Sequence, residues 1–235
     1  MAVIDLTEMR ITMSSFKNRK LFAGIAVAAV AALPLTECSS TSDNGGSASS
    51  SASAGAPKAV AEVDALTGES TAIALDTGFT DALASLGLTS GVLGGAELTD
   101  GSLIFPITGG NVTYFKPGTV SPYVIGQVQH ENSGLSLTAG DAVVELTNFN
   151  VDPGSSGIYG DVAVNGKTAV TSAYIFTLNG TTLKPLQSEG TTAILEGTKV
   201  FISPVAAELL NQTFKTDAVT EDLLVGVATI TINTQ

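Results

Sequence analysis

GIYGDVAVNGKTAVTSAYIFTLNG, residues Gly157–Gly180, decides the fold class. Ile158, Gly160, Val162 and Val164 alternate with Tyr159, Asp161 and Ala163. A helix would repeat its apolar residues every three or four positions, whereas a period of two is that of a half-buried strand. Asn165-Gly166 follows the strand directly. A type I′ turn needs positive φ at both central residues, and Asn-Gly meets that need at little steric cost, so the pair predicts a tight hairpin. Asn179-Gly180 carries the same signal, and the two pairs bracket Thr168–Leu178 as a strand between neighbours.

The same texture extends both ways. Toward the C-terminus, Ala193–Ile202 reads as a strand. Ser203-Pro204 then opens a short helix: Ser203 caps it, and Pro204 suits a first turn where a missing N–H costs nothing. Leu209, Leu210, Phe214 and Val205 are expected to face inward. Leu223–Ile232 is apolar enough for the middle of a sheet. Toward the N-terminus, strands are expected at Ala142–Val151, Leu135–Thr138, Tyr123–Glu131, Asn111–Phe115, Ser102–Ile107, Ala96–Leu98 and Thr71–Leu75. Asp76–Leu86 places Phe79, Leu83 and Leu86 on one helical face, with Asp76 or Thr77 as N-cap and Gly87 as the stop. The prediction for residues 59–235 is a mainly β domain: an antiparallel β-sandwich of about ten strands with two short helices. No repeat of fixed period is visible.

The N-terminal part is of another kind. Lys17, Arg19 and Lys20 precede Leu21–Leu35, which carries no charge. Fifteen helical residues span ~22 Å, short of the roughly 20 residues that cross a bilayer and right for the apolar region of an export signal. Asp5 and Glu8 suit no such leader, so translation is expected to begin at Met13, and residues 1–37 are read as a signal peptide. Leu35-Thr36-Glu37-Cys38 resembles the bacterial lipobox, with Glu37 where that pattern places a small residue. Cys38 is the only cysteine and is the expected site of lipidation, giving a membrane attachment through its acyl chains. The alternative is cleavage after Ala32 or a retained anchor. Residues 38–58, rich in Ser, Ala and Gly, are expected to form a flexible tether, since they offer too little apolar area to offset ordering.

Charge and composition narrow the function classes. The 235 residues carry a formal charge of −12, and beyond Cys38 there is no arginine. Nothing there would release counterions from a phosphate backbone, so nucleic acid is excluded as a partner. Hydrophobic residues make up 44% of the chain and charged ones only 14%, which fits a sheet surface dressed with Thr, Ser and Asn. Tryptophan is absent and histidine occurs once, so a triad of any kind would depend on His130. No nucleophile elbow of the Gly-x-Ser-x-Gly type is present.

The pieces Gly126-Gln127-Val128, His130, Leu135-Ser136-Leu137, Asn148 and Ile158 through Asp161-Val162 are spaced along the chain in a layout that resembles the haem-transport-associated family of bacterial surface domains. The strand leading into a short Ala-rich helix over Leu195–Glu208 is similar too. The resemblance implies an exported β-sandwich and haem as a ligand. That family's early helix carries a haem-ligating tyrosine, whereas here the helix presents Phe79, Ala82 and Leu83.

Few side chains offer chemistry. His130 is the best ligand candidate: a neutral imidazole with Tyr123, Tyr159 or Tyr174 nearby could hold a haem iron. The competing reading is a strand-end histidine, exposed or hydrogen-bonded. Asp141, Glu145, Asp152 and Asp161 could pair for acid–base work or hold Ca²⁺, although no EF-hand loop occurs. The expected function is that of an exported, membrane-tethered, non-enzymatic surface or binding protein of the cell envelope, its envelope ligand or protein partner unidentified. The alternatives are a haem or small-ligand binding domain and a carboxylate-based enzyme.

Overall fold

The computed structural model describes residues 56–234. The expectations for the leader, Cys38 and most of the Ser/Ala/Gly tract lie outside the described residues. Thirteen strands and two helices follow in the order β1 (Ala59–Val63), β2 (Ser70–Leu75), α1 (Thr77–Ser85), β3 (Thr89–Gly94), β4 (Glu97–Thr99), β5 (Ser102–Pro106), β6 (Gly109–Phe115), β7 (Val124–Ala139), β8 (Ala142–Asp152), β9 (Gly157–Val164), β10 (Lys167–Asn179), β11 (Gln187–Glu189), β12 (Thr192–Ile202), α2 (Pro204–Phe214) and β13 (Leu224–Asn233).

All strand pairs are antiparallel and belong to one sheet of order β1-β6-β7-β8-β9-β10-β12-β13-β2-β5-β4, with β3 added on β7 and β11 on β12. The sheet folds over on itself. Phe105 of β5 packs edge-on against Phe149 of β8, ring centroids 5.3 Å apart, although the two strands are far apart in the sheet order. The β7–β10 half and the β12–β13–β2–β5 half therefore form the two layers of a sandwich, with Val144, Val200, Ile175 and Val128 among the side chains most completely buried between them.

The predicted hairpin at Asn165-Gly166 is present. Both residues have positive φ, 52° and 72°, and Val164 pairs with Lys167 across the turn. At Asn179-Gly180 there is no hairpin. Asn179 keeps φ at −109° and its side chain accepts a hydrogen bond from Thr181 N–H, starting a 3₁₀ turn over Gly180–Thr182. The asparagine amide competes for the backbone here, and β10 pairs with β12 only from Phe176↔Ile202 to Asn179↔Lys199.

Tyr123–Glu131 and Leu135–Thr138 are one strand, not two. Between the pairs His130↔Phe149 and Gly134↔Thr147, three residues of β7 stand opposite Asn148 alone. Asn132 takes φ = 56° there, and its N–H bonds to the Asn148 side chain at 2.9 Å. A bulge shifts the alternation of faces: Val124, Val128 and His130 point inward before it, Leu135 and Leu137 after it. The change from even to odd positions is what looks like a strand break in the sequence. His130 consequently lies inside a long strand and not at the end of a short one. The opposing bulge in β8 drives Phe149 inward over Gly160, where a Cβ would come within 2.9 Å of the Phe149 ring.

Strands β1, β3 and β11 escape the pattern because none of their residues is fully buried, so their sequences carry little of the apolar patterning of the inner strands. Helix α1 is capped by Asp76, whose carboxylate accepts from Gly78 N–H, and it buries Phe79 and Leu83. Helix α2 is capped by Ser203, which accepts from Ala206 N–H and donates to the Tyr174 carbonyl. It buries Ala206, Ala207 and Leu210, while Leu209 and Phe214 are partly covered. Val205, expected to face inward, is 49% exposed, because the small Ala206 and Ala207 form the face that approaches the sheet.

Candidate functional site

Along every inner strand the order of surroundings is the same. Leu75, Ile202, Val225, Leu137 and Leu146 meet the helices at one end. Thr71, Thr198, Ala228, Val124 and Val151 lie toward the other, where the layers part around a cavity of about 330 Å³. One wall comes from β2, β12 and β13 through Thr71, Ile73, Leu195, Thr198, Ala228 and Ile230. The facing wall comes from Val124, Val151, Ile158 and Leu178, near the ends of β7 to β10. Ser121, Pro122, Tyr123, Pro153, Ser156 and the segment Gly180–Leu183 form the rim. Among the described residues that line it, none is charged.

The cavity exists because β10 and β12 part company. Their ladder covers only Phe176↔Ile202 to Asn179↔Lys199. The chain rejoins β12 at Gln187↔Ile194, so residues 180–186 stand opposite only 195–198. The surplus is pinned to β12 by Lys184 N–H to Glu196 O at 2.8 Å and by Thr182 Oγ1–H to Gly197 O at 2.6 Å. Lys184 Nζ also meets Glu196 Oε1 at 2.7 Å on the surface. That hydrogen bond and charge hold the Glu196 carboxyl below its ordinary range.

The candidate residues are separated. His130 is 1% exposed and lines a separate small void of about 20 Å³, not the cavity itself. Its Nδ1 is 2.9 Å from the Pro106 carbonyl and its Nε2 3.1 Å from Thr71 Oγ1. A carbonyl only accepts, so the proton sits on Nδ1 and Nε2 accepts from the threonine. Burial pushes its pKa below the usual histidine value, against the raising effect of the bonds to the Pro106 and Phe105 backbone. Both ring nitrogens are thus engaged, and the imidazole ties β7 to β2 and β5 across the core. Tyr123 lies at the cavity rim, its ring edge-on to Tyr114 at 5.9 Å. Burial, with Tyr114 beside it, raises its phenol pKa. Tyr159 and Tyr174 pair across β9 and β10 and stack on each other at 5.5 Å. Their neighbours Ile158 and Ile175 point into the core, so the two tyrosines occupy the outer face.

The carboxylates do not converge. Asp161 accepts from Ser172 N–H and Asn148 Nδ2. Asp152 caps the β8–β9 turn through Ser155. Asp141 is in the β7–β8 turn, and Glu145 lies cross-strand from Ser136 and Ala163. Among the described residues no group of three His, Cys, Asp or Glu is placed to hold a metal ion. None of the helices among them is long and apolar enough to cross a membrane.

Sequence reasoning missed the cavity and Thr71. The only trace of either was Thr71 at an inward position of an otherwise apolar strand.

No family model and no curated protein matches the sequence. Solved structures do match the fold. The C-terminal domain of HtaA from Corynebacterium glutamicum superposes with a TM-score of 0.50 at 14% identity, covering 72% of this chain and 98% of that one. The haem-binding protein HtaB from the same organism is similar at a TM-score of 0.46 and 10% identity, over 74% of this chain and 96% of that one. A domain-swapped dimer of the H434A variant of the HtaA domain gives 0.44 at 14% identity, over 67% and 90%.

Proposed function

We propose that this chain is an exported, membrane-tethered, non-enzymatic binding protein whose β-sandwich takes up a small, largely apolar molecule. The cavity between the layers carries this reading. Its size and apolar lining with a few hydroxyls are those of a ligand pocket, and it favours binding over a purely structural surface role. The charge-free leader segment and Cys38 support the tether. Native mass spectrometry of the protein purified from its own host tests both halves. The expected species begins at Cys38, carries the mass of acyl chains, and retains a small molecule that Ala228→Phe abolishes. An unmodified Cys38 thiol overturns the lipid attachment. A ligand retained equally by Ala228→Phe overturns the cavity as its site.

Haem is the second reading. It is supported by the motif resemblance, by the shared fold of the HtaA domain, and by Tyr123, the one phenol at the cavity. Tyr123 and not His130 would then be the iron ligand, since both nitrogens of His130 are occupied. Haemin titration tests it: the expected Soret shift is lost in Tyr123→Phe, and no shift at all, or one that survives that change, excludes haem.

A further inference from the structure

Thr71 stands in the wall shared by the cavity and the void that holds His130. It is 3% exposed, and among the described residues it is the one buried polar side chain that lines the cavity. The other hydroxyls there, on Ser121, Tyr123, Ser156, Thr181 and Thr198, are on exposed or half-exposed residues. The hydrogen-bond chain fixes the sense of its polarity. Pro106 O takes the Nδ1 proton, Nε2 takes the Thr71 proton, and the Thr71 oxygen keeps lone pairs with no proton to offer. A hydroxyl normally rotates to suit either kind of partner; this one is locked as an acceptor.

From this we infer that the cavity selects an uncharged apolar molecule bearing one hydrogen-bond donor, which Thr71 Oγ1 accepts, with His130 as the positioning residue. The inference rests on the cavity being the ligand site. An anion is disfavoured because no cation lines the cavity, the whole chain carries −12, and the neighbouring Lys184 is already paired with Glu196. Burying an unpaired carboxylate is costly. A ligand offering only an acceptor would set two sets of lone pairs against each other. A site with one directed polar group discriminates by leaving that group unpaired with the wrong ligand.

The test uses the purified full-length protein and three probes of one shape: 2-naphthol, 2-methoxynaphthalene and 2-naphthoate. Fluorescence titration is expected to show 2-naphthol binding about five- to tenfold tighter than the methyl ether, the range of one neutral hydrogen bond, with 2-naphthoate weakest. Thr71→Ser should keep the preference and Thr71→Val should erase it, with thermal melts confirming that both variants fold. The chain has a single histidine, so its long-range ¹H–¹⁵N spectrum is unambiguous. Free protein should show the Nδ1–H tautomer, and 2-naphthol, unlike its ether, should shift the Nε2 resonance. Equal affinity for the two neutral probes, or an unmoved Nε2, overturns the inference while leaving the cavity reading intact. No binding of any probe overturns both.

Discussion

The helix-capped end of the sandwich and its open end are built from the same strands, yet one is filled and the other hollow. At the closed end and the centre, Phe79 and Leu83 from α1, Ala206 and Leu210 from α2, and the trio Phe105, Phe149 and Phe176 occupy the space between the layers. At the open end the inward residues are Thr71, Ile73, Thr198, Ala228 and Ile230, with no helix above them and no phenylalanine among them. Interiors are normally packed as densely as organic crystals. A departure from that density at one end, beside the stretch where residues 180–186 stand opposite only 195–198, marks where the fold gives up packing.

If the two ends differ in this way, substitutions should separate them. The largest effect is expected for Phe149→Ala, which removes a ring held between Phe105 and Phe176. Chemical denaturation should register a loss of about 3–5 kcal/mol, the range for a buried phenylalanine. A loss below about 1 kcal/mol would mean that the centre is as loosely packed as the cavity, given what such truncations cost elsewhere.

His130→Gln comes next, at about 1–3 kcal/mol, because it leaves buried hydrogen-bond partners incompletely paired. It also carries a pH signature. The folded-state pKa of His130 lies below its unfolded value. The unfolded chain therefore takes up the proton first as pH falls. The contribution to stability is fully present above the ordinary value of 6.5 and is lost as pH drops through the folded value. Among the described residues no other titratable group lines the void around the ring. Urea midpoints measured from about pH 7 to pH 5 should fall in the native protein through this linkage, by more than in His130→Gln. Parallel curves would show that the imidazole is solvated.

Ser203→Ala removes a helix cap and a donor to the Tyr174 carbonyl. A loss of about 1–2 kcal/mol is expected at the closed end, with ligand uptake unchanged. Ala228→Phe should do the reverse: its ring enters open space, stability moves by less than about 1.5 kcal/mol, and ligand uptake disappears. A large destabilisation from Ala228→Phe, seen in the same denaturation experiment, would show that the open end is not open in solution.

Much of this architecture is legible residue by residue. The Ile158–Val164 alternation, the Asn165-Gly166 turn, the Asp76 and Ser203 caps and the central Leu224–Asn233 strand all follow from local rules, since each depends on the residue's own φ preference, side-chain acceptor or period. The failures have different causes. At Asn179-Gly180 the asparagine side chain takes Thr181 N–H and starts a 3₁₀ turn, a local competitor of the hairpin. The break read between Glu131 and Leu135 and the inward Val205 depend on what the chain meets across the sheet. The bulge at Asn132 is fixed by Asn148 on the next strand, and no pattern within β7 could announce it.

By itself the sequence determined that this is an acidic chain with a β-rich domain and one histidine, because charge, period and residue type are properties of the chain. Only the tertiary structure decided that the histidine is a core brace, that Thr71 is its partner, and that a hollow opens beside them. Those facts arise where strands distant in the chain meet or fail to meet, and the free volume between two layers is fixed by that meeting and not by any single strand.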